Sequence, residues 1–257
     1  MNAGKVRLDR LLVERGLAET RQKAQAMILA GEILVGDRKA EKCGTSVKQD
    51  VAVRILGEPQ KYVGRGGLKL EEALDFFNID VRDQLCLDVG ASTGGFTDCL
   101  LQRGARRVIA VDAGTNQLDW RLRRDPRVVS LEKTNARHLS LEQVGEKADV
   151  ATMDVSFISA TLIAPQLPPL LRAGARLLVL VKPQFEVGRG QVGKGGVVTD
   201  ETLHRQAVAK VRAKLEELGF DEIGSMACSL RGRGGNREFF LHALWRNDAD
   251  SAIFASR

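Results

Sequence analysis

Four ionisable residues stand where an alternating strand–helix chain would place chemistry. Asp154 closes the run Ala151-Thr152-Met153, Lys182 closes Leu180-Val181, Glu238 follows Asn236-Arg237 at the start of a late apolar run, and Lys69 sits beside the stripe Leu70, Ala73, Leu74, Phe77. Taken singly, a charge at a strand end is most often solvated. Two amines and two carboxylates at one rim are another matter: carboxylates hold amines in place, and a neighbouring cation lowers an amine's proton affinity. A second stretch reads as a ligand cradle. Leu87-Asp88-Val89-Gly90-Ala91-Ser92-Thr93-Gly94-Gly95-Phe96 leaves an apolar run and enters a helical pattern. Glycines there let the backbone approach a ligand closely. Their spacing is neither G-x-G-x-x-G nor a P-loop, since no Lys-Ser/Thr pair follows. Asp112 ends the next apolar run, a place that suits a ribose diol, and Asp88 suits a positive group. S-adenosylmethionine carries both, so it is the expected cofactor, with contacts at Asp88, Gly90, Ser92, Thr93, Gly94, Gly95, Phe96 and Asp112. Asn135, after the third strand, is placed at the adenine.

The elements that must position these residues alternate. Strands are expected at 85–89, 107–112, 127–131, 149–154 and 175–182, with helices at 68–77, 95–103, 116–124, 159–171 and 200–218 and closing strands at 221–228 and 237–245. This is an α/β pattern: a doubly wound, Rossmann-like sheet with helices on both faces, over residues 64–246, with ligands at the carboxyl ends of the strands. A glycine-rich basic loop, 186–196 with Arg189 and Lys194, is expected to be mobile at that edge, and 231–237 with Arg233 forms a second basic loop. A smaller α+β unit precedes them over 5–60. Leu8, Leu11 and Leu12 share one helical face and Ala24, Met27 and Ile28 another, Thr20 suits an N-cap and Gly31 a stop. Short strands are expected at 32–35 and 51–55. Residues 57–63 read as a linker and 247–257 as a frayed tail.

The 257 residues carry a net charge of +6, unevenly spread: residues 1–61 hold 12 Lys/Arg against 8 Asp/Glu, and residues 62–257 hold 27 against 25. The short N-terminal part thus has most of the excess, as a nucleic-acid module would. Cys43, Cys86, Cys99 and Cys228 are scattered and read as reduced thiols of a cytoplasmic protein. His138, His204 and His242 show no metal-ligand spacing. The start, Met-Asn-Ala-Gly-Lys, has no apolar leader, and the longest apolar runs, such as Leu177 to Val181, are too short to span a bilayer.

The stretch from Thr20 through Gly31 to Val35 resembles the RNA-binding module of ribosomal protein S-four. That resemblance places phosphate contacts on Arg21 and Lys23. The order Lys69, Asp154, Lys182, Glu238 resembles the tetrad of the FtsJ-like RNA ribose 2'-O-methyltransferases. With Gly64-Arg65-Gly66-Gly67-Leu68-Lys69, Met153-Asp154-Val155-Ser156-Phe157, Lys182-Pro183-Gln184-Phe185-Glu186, Gly195-Gly196-Val197-Val198 and Asn236-Arg237-Glu238-Phe239-Phe240, the chain from 5 to 246 is similar to the TlyA, or haemolysin A, family. The resemblance implies methyl transfer to a cytidine 2'-oxygen of ribosomal RNA, free or in ribosomal subunits. Arg65, Arg189, Lys194 and Arg233 complete the expected RNA contacts, no membrane is involved, and a monomer is expected.

A ribose hydroxyl is a poor nucleophile until its proton is taken or its lone pair aimed. Lys69 would do this if neutral, with Lys182 depressing its proton affinity and Asp154 and Glu238 orienting both amines. Other chemistries fit less well. An amino-methylating enzyme would show prolines after Asp154, where Val155-Ser156-Phe157 stands, and a carbon-methylating enzyme would need a cysteine at the rim. A non-catalytic ribosome-assembly factor would keep both domains without needing the tetrad. A cell-lysing protein finds no support in a chain without a long apolar stretch.

Overall fold

The computed structural model describes residues 4–56, 61–232 and 234–246, with the backbone alone at Arg189, so Arg233, part of the linker and the 247–257 tail lie outside the described residues. The chain forms two compact units that divide between Pro59 and Gln60. In the first, β1 (Lys5–Arg7) leads into α1 (Leu8–Glu14) and α2 (Arg21–Leu29), followed by β2 (Ile33–Val35), β3 (Arg38–Lys39), β4 (Ser46–Lys48) and β5 (Val53–Ile55). Thr20 caps α2, its side chain accepting from the Lys23 amide at 3.1 Å. Gly31 follows the helix at φ 71°, a left-handed turn that glycine adopts freely. Leu8, Leu11 and Leu12 of α1 meet Ala24, Met27 and Ile28 of α2 in one buried cluster with Ile33. Two small antiparallel sheets, β1–β4 and β3–β2–β5, complete the unit.

The second unit begins with α3 (Gly66–Phe76) and continues β6 (Leu85–Val89), α4 (Gly95–Gln102), β7 (Arg107–Val111), α5 (Trp120–Arg123), β8 (Val128–Leu131), α6 (Leu141–Val144), β9 (Ala148–Met153), β10 (Leu171–Val181), α7 (Pro183–Glu186), α8 (Glu201–Glu217), β11 (Phe220–Ala227) and β12 (Phe239–Trp245). Seven strands form one sheet in the order β11-β12-β10-β9-β6-β7-β8. The five from β10 to β8 are parallel; β12 runs antiparallel between β10 and β11. Strand period divides the core into two layers. Leu85, Leu87, Val89, Ile109 and Val111 pack on the α8 side, whereas Cys86, Val108 and Ala110 pack on the α3 and α4 side. The chain reverses its direction across the sheet between β6 and β9, where such folds place their ligands.

Three elements differ from the sequence expectation. The helix expected over 159–171 is a run of three 3-10 turns, Ala160–Leu162, Ala164–Gln166 and Pro168–Leu170, because Pro165, Pro168 and Pro169 lack amide donors and clash with the preceding turn. The helix expected at 116–124 shrinks to α5, since Asn116 is left-handed at φ 55° and Asp119 caps only at Arg121. The last strand starts at Phe239, leaving Glu238 just ahead of it. Among the described residues no helix is long and apolar enough to cross a membrane.

Candidate active site

The carboxyl ends of β6, β7 and β9 open onto a cleft of about 950 Å³, walled among others by Gly90, Ser92, Asp112, Asn135, Asp154, Lys182 and Glu238. A cleft of this size takes a whole cofactor or nucleotide. The strand ends deliver these groups for a simple reason: parallel strands of equal direction present their last residues to one rim. Gly90 makes the turn possible. It is left-handed at φ 89°, and a Cβ there would stand 2.3 Å from the Asp154 carbonyl oxygen. Ser92 follows at φ 49° and gives its amide to Asp112 Oδ2 at 2.8 Å, while Gly114 gives its amide to Asp112 Oδ1 at 2.6 Å. The Asp112 carboxylate is thereby fixed at the cleft wall. Asn135 caps the 3-10 turn 136–138 through its Oδ1, leaving its side-chain amide nitrogen for a ligand.

The four ionisable residues form two ion pairs. Lys69, on α3, is hydrogen-bonded to Glu238, and both are buried. Lys182 lies 2.6 Å from Asp154 Oδ1 and donates to Ser156 Oγ at 2.8 Å. Asp154, Lys182 and Glu238 wall the cleft, while Lys69 stands behind Glu238 and contributes no wall. Each carboxylate thus orients one amine, Glu238 for Lys69 and Asp154 for Lys182. Cys228 lies close enough to feel the charges of Lys69, Glu238 and Asp154, but burial pushes its thiol up to about 12. It therefore supplies no thiolate near neutrality.

Other residues expected at the cofactor serve the cradle from behind. Asp88 is fully buried and does not reach the cleft; its oxygens accept from Thr97 Oγ1 at 2.7 Å and Thr152 Oγ1 at 3.0 Å. Burial pushes its carboxyl up to about 6, against the pull of the two hydroxyls. Phe96 is a core residue stacked on Phe240, ring centres 5.9 Å apart. Gly94 and Gly95 are buried: a Cβ on Gly94 would stand 2.2 Å from Leu122, and one on Gly95 3.0 Å from the Gly67 amide. The turn after Gly64 is therefore packed directly onto the Gly90–Gly95 turn, with Thr93 Oγ1 2.8 Å from where a Gly64 Cβ would be. Thr93 itself is exposed.

Sequence reasoning missed Phe157 and Phe185. Both line the cleft, their ring centres 5.2 Å apart, and Phe157 is 91% exposed with φ at 65°. A bulky residue held exposed in the left-handed region is a costly arrangement that functional sites tend to keep. Asn236 was also missed. Its side chain accepts the Val198 amide at 2.9 Å and donates to the Gly196 carbonyl at 2.9 Å, tying the glycine-rich segment to the wall beside Glu238. Neither feature leaves a periodic mark in sequence.

Of the residues expected at RNA, Arg65 and Lys194 are exposed. In the N-terminal unit Lys23 is exposed, and Arg21 is exposed but tied through Nε to the buried Asp9 at 2.9 Å. Arg7 and Gln25 donate to the same carboxylate.

A seven-stranded sheet of this order, with an acidic residue after β7 and a glycine turn after β6, defines the S-adenosylmethionine-dependent methyltransferase class of folds. The FtsJ-like methyltransferase family matches residues 62–244 and the S4 domain residues 6–53. The 16S/23S rRNA (cytidine-2'-O)-methyltransferase TlyA of Mycobacterium tuberculosis is 46% identical over 98% of this chain and 94% of its own. Hemolysin A of Brachyspira hyodysenteriae is 41% identical over 93% of this chain and 100% of its own. A solved structure named for a hemolysin, from Streptococcus thermophilus, superposes at a TM-score of 0.73 with 41% identity, over 95% of this chain and 90% of that one. The chain belongs to the TlyA family of FtsJ-like methyltransferases.

Proposed function

We propose that this protein transfers a methyl group from S-adenosylmethionine to the ribose 2'-hydroxyl of a cytidine in ribosomal RNA. The observation that carries the reading is the gathering of Asp154, Lys182 and Glu238 in the same cleft as Asp112 and the Gly90–Ser92 turn, with Lys69 paired to Glu238. A cofactor ribose diol fits the Asp112 carboxylate, whose orientation two backbone amides fix, and Asn135 can meet the adenine edge. When bound, S-adenosylmethionine presents its methyl on a sulfonium, so no acid is required for the leaving group. The chain's own task is alignment and proton handling. Lys182, held by Asp154 and Ser156, is the amine that faces the cleft and can hydrogen-bond the attacking oxygen. Lys69, in its neutral amine form, is assigned the proton of the 2'-hydroxyl: Glu238, which separates it from the cleft, takes that proton and passes one on to the amine. Holding oxygen, methyl and sulfur in line accounts for much of the acceleration expected of such a site.

RNA enters through charge. Lys23 and Arg21 of the S4-type unit, with Arg65, Arg189, Lys194 and Arg233, are assigned to phosphates, and the substrate places the protein in the cytoplasm. Mapping ribose-methylated cytidines by mass spectrometry, in ribosomal RNA from cells with and without the protein, tests the reading; an identical methylation map would sink it. Single turnover on ribosomal subunits tests the roles. Lys182→Ala and Lys69→Ala should each lose on the order of 10²-fold or more in rate, and Lys69→Arg should not restore it, because arginine keeps the charge but does not give up a proton. Wild-type turnover in Lys69→Arg would leave Lys69 a steering charge only.

A further inference from the structure

A second hollow lies on the other side of β12 from Glu238. Successive residues of a strand face opposite ways, so Glu238 and Phe240 turn towards α3 while Arg237 and Phe239 turn towards α8. Between α8 and β12 they enclose about 380 Å³. This is the small end of the range that holds a single small ligand. Its floor is apolar, made by Val208 and Phe239 beside His204. Three guanidiniums stand around it, Arg205 and Arg212 two turns apart on α8 and Arg237 on the facing strand, against one carboxylate, Glu201.

Arg205 and Arg237 are weakly engaged, while Arg212 is held by a backbone carbonyl. Arg205 donates to Thr202 Oγ1 at 3.2 Å, Arg212 to the Ile223 carbonyl at 2.5 Å, and Arg237 reaches Glu201 only at 3.4 Å. Three like charges around a low-dielectric floor attract an anion, and the planar fork of arginine suits phosphate. The floor asks for something else, a flat apolar face: His204 and Phe239 lie with ring centres 5.6 Å apart at 54°. His204 is 4% exposed, its Nε2 is 2.8 Å from the Val198 carbonyl, and its buried Nδ1 has no partner among the described residues. That nitrogen is a buried polar atom in need of a partner. A phosphate joined to a flat ring that carries N–H or O–H groups answers all three features.

We infer that this hollow is a second nucleotide site, taking a ribonucleotide with its phosphate among Arg205, Arg212 and Arg237 and its base against Phe239. The ligand is either a free nucleotide or one unit of an RNA strand. The free form stands apart from the methyl-transfer reading; the RNA form rests on it. Occupancy would bear on the cleft through one chain of hydrogen bonds. His204 holds Val198, Val198 gives its amide to Asn236, and Asn236 holds Gly196, with Asn236, Gly196 and Glu238 all in the cleft wall.

Calorimetry on the full chain, with S-adenosylhomocysteine saturating the cleft, tests this with uridine 5'-monophosphate. The nucleotide should bind, with uridine and inorganic phosphate each about tenfold weaker or more. Arg205→Ala, which breaks only a bond to Thr202, should weaken uridine monophosphate about tenfold, and Phe239→Leu should weaken it while sparing phosphate. A ribosomal RNA fragment carrying 4-thiouridine, irradiated with the protein, separates the two sources: a crosslink within 201–212 or 237–239 identifies RNA, and nucleotide binding without one identifies a free nucleotide. Phosphate binding as tightly as the nucleotide, nucleotide affinity unchanged in Arg205→Ala, or neither binding nor crosslink would overturn the inference. A ribosomal RNA methylation map identical with and without the protein, with nucleotide binding intact, would instead count against the methyl-transfer reading alone.

Discussion

Asp9 and Asp88 are both fully buried aspartates, one in each unit, and their carboxyls are displaced in opposite directions. Asp9 accepts from Arg7, Arg21 and Gln25, and the Arg7 hydrogen bonds hold its carboxyl far below the usual range in spite of burial. Asp88 accepts from neutral donors, the hydroxyls of Thr97 and Thr152 and the Thr97 backbone amide, and burial wins, pushing it up to about 6. Two things differ together: Asp9 lies shallowly beneath exposed arginines and has charged donors, whereas Asp88 lies deep and has neutral ones. Asp9 is a fixed anchor for two surface arginines. Asp88 is a carboxyl whose charge is costly to maintain and that sits directly beneath the Gly90–Gly95 turn.

The pH dependence of stability should separate the two most sharply. A raised carboxyl binds its proton more tightly folded than unfolded, so the Asp88 contribution is greatest below about pH 4 and falls as pH rises towards about 6, by about 3 kcal/mol in all. Urea unfolding of Asp88→Asn and wild type between pH 4 and 7 should show this difference, and parallel curves would refute it. Asp9 runs the other way. Its contribution is present above the ordinary carboxylate range near pH 4 and is lost as pH falls through its depressed folded value. Asp9→Ala should cost the N-terminal unit about 2–3 kcal/mol, tempered because both arginines can rehydrate at the surface; a melt of that unit unchanged by the substitution would show that Asp9 anchors nothing. Thr97→Val should cost about 1–2 kcal/mol and raise the Asp88 carboxyl further, read as a shift of its titration by NMR. Smallest is Arg21→Ala, under about 1 kcal/mol in stability because Arg7 and Gln25 stay on Asp9. The same variant should shallow the salt dependence of RNA binding by roughly one phosphate contact, and an unaltered slope would leave Arg21 as an anchor for Asp9 alone.

Much of the second unit was legible because its signals are local. Apolar runs buried on both faces, a glycine turn after the first and a carboxylate after the second determine a parallel sheet and its rim, and strand-end residues reach that rim whatever lies between. The pairing inside the tetrad was not legible, since which carboxylate meets which amine depends on α3 passing beside the start of β12. The apolar spacing of Leu162, Ile163, Leu167 and Leu170 reads as a helix, and three prolines override it. Strands β1, β3 and β4, two or three residues each, are too short for any period to register. Asp88 reads as a ligand contact because its position in the turn is visible while Thr97 and Thr152 above and below it are not.

The place of β12 in the sheet has a consequence for synthesis. It is the last strand among the described residues, yet it lies between β10 and β11 and brings Glu238 with it. As the polypeptide emerges, β6, β7 and β8 can pair early, but β10 keeps one edge open and β11 has no neighbour until residues 239–245 arrive. Pairing across such separations is slow, and open edges invite association with other chains. Between the synthesis of β7 and that of Glu238 the nascent protein therefore has the strands that make the Gly90–Gly95 turn while the Lys69 partner is still missing. Competence comes only at the end, when a single late strand closes the sheet and completes the ionic setting of the cleft together.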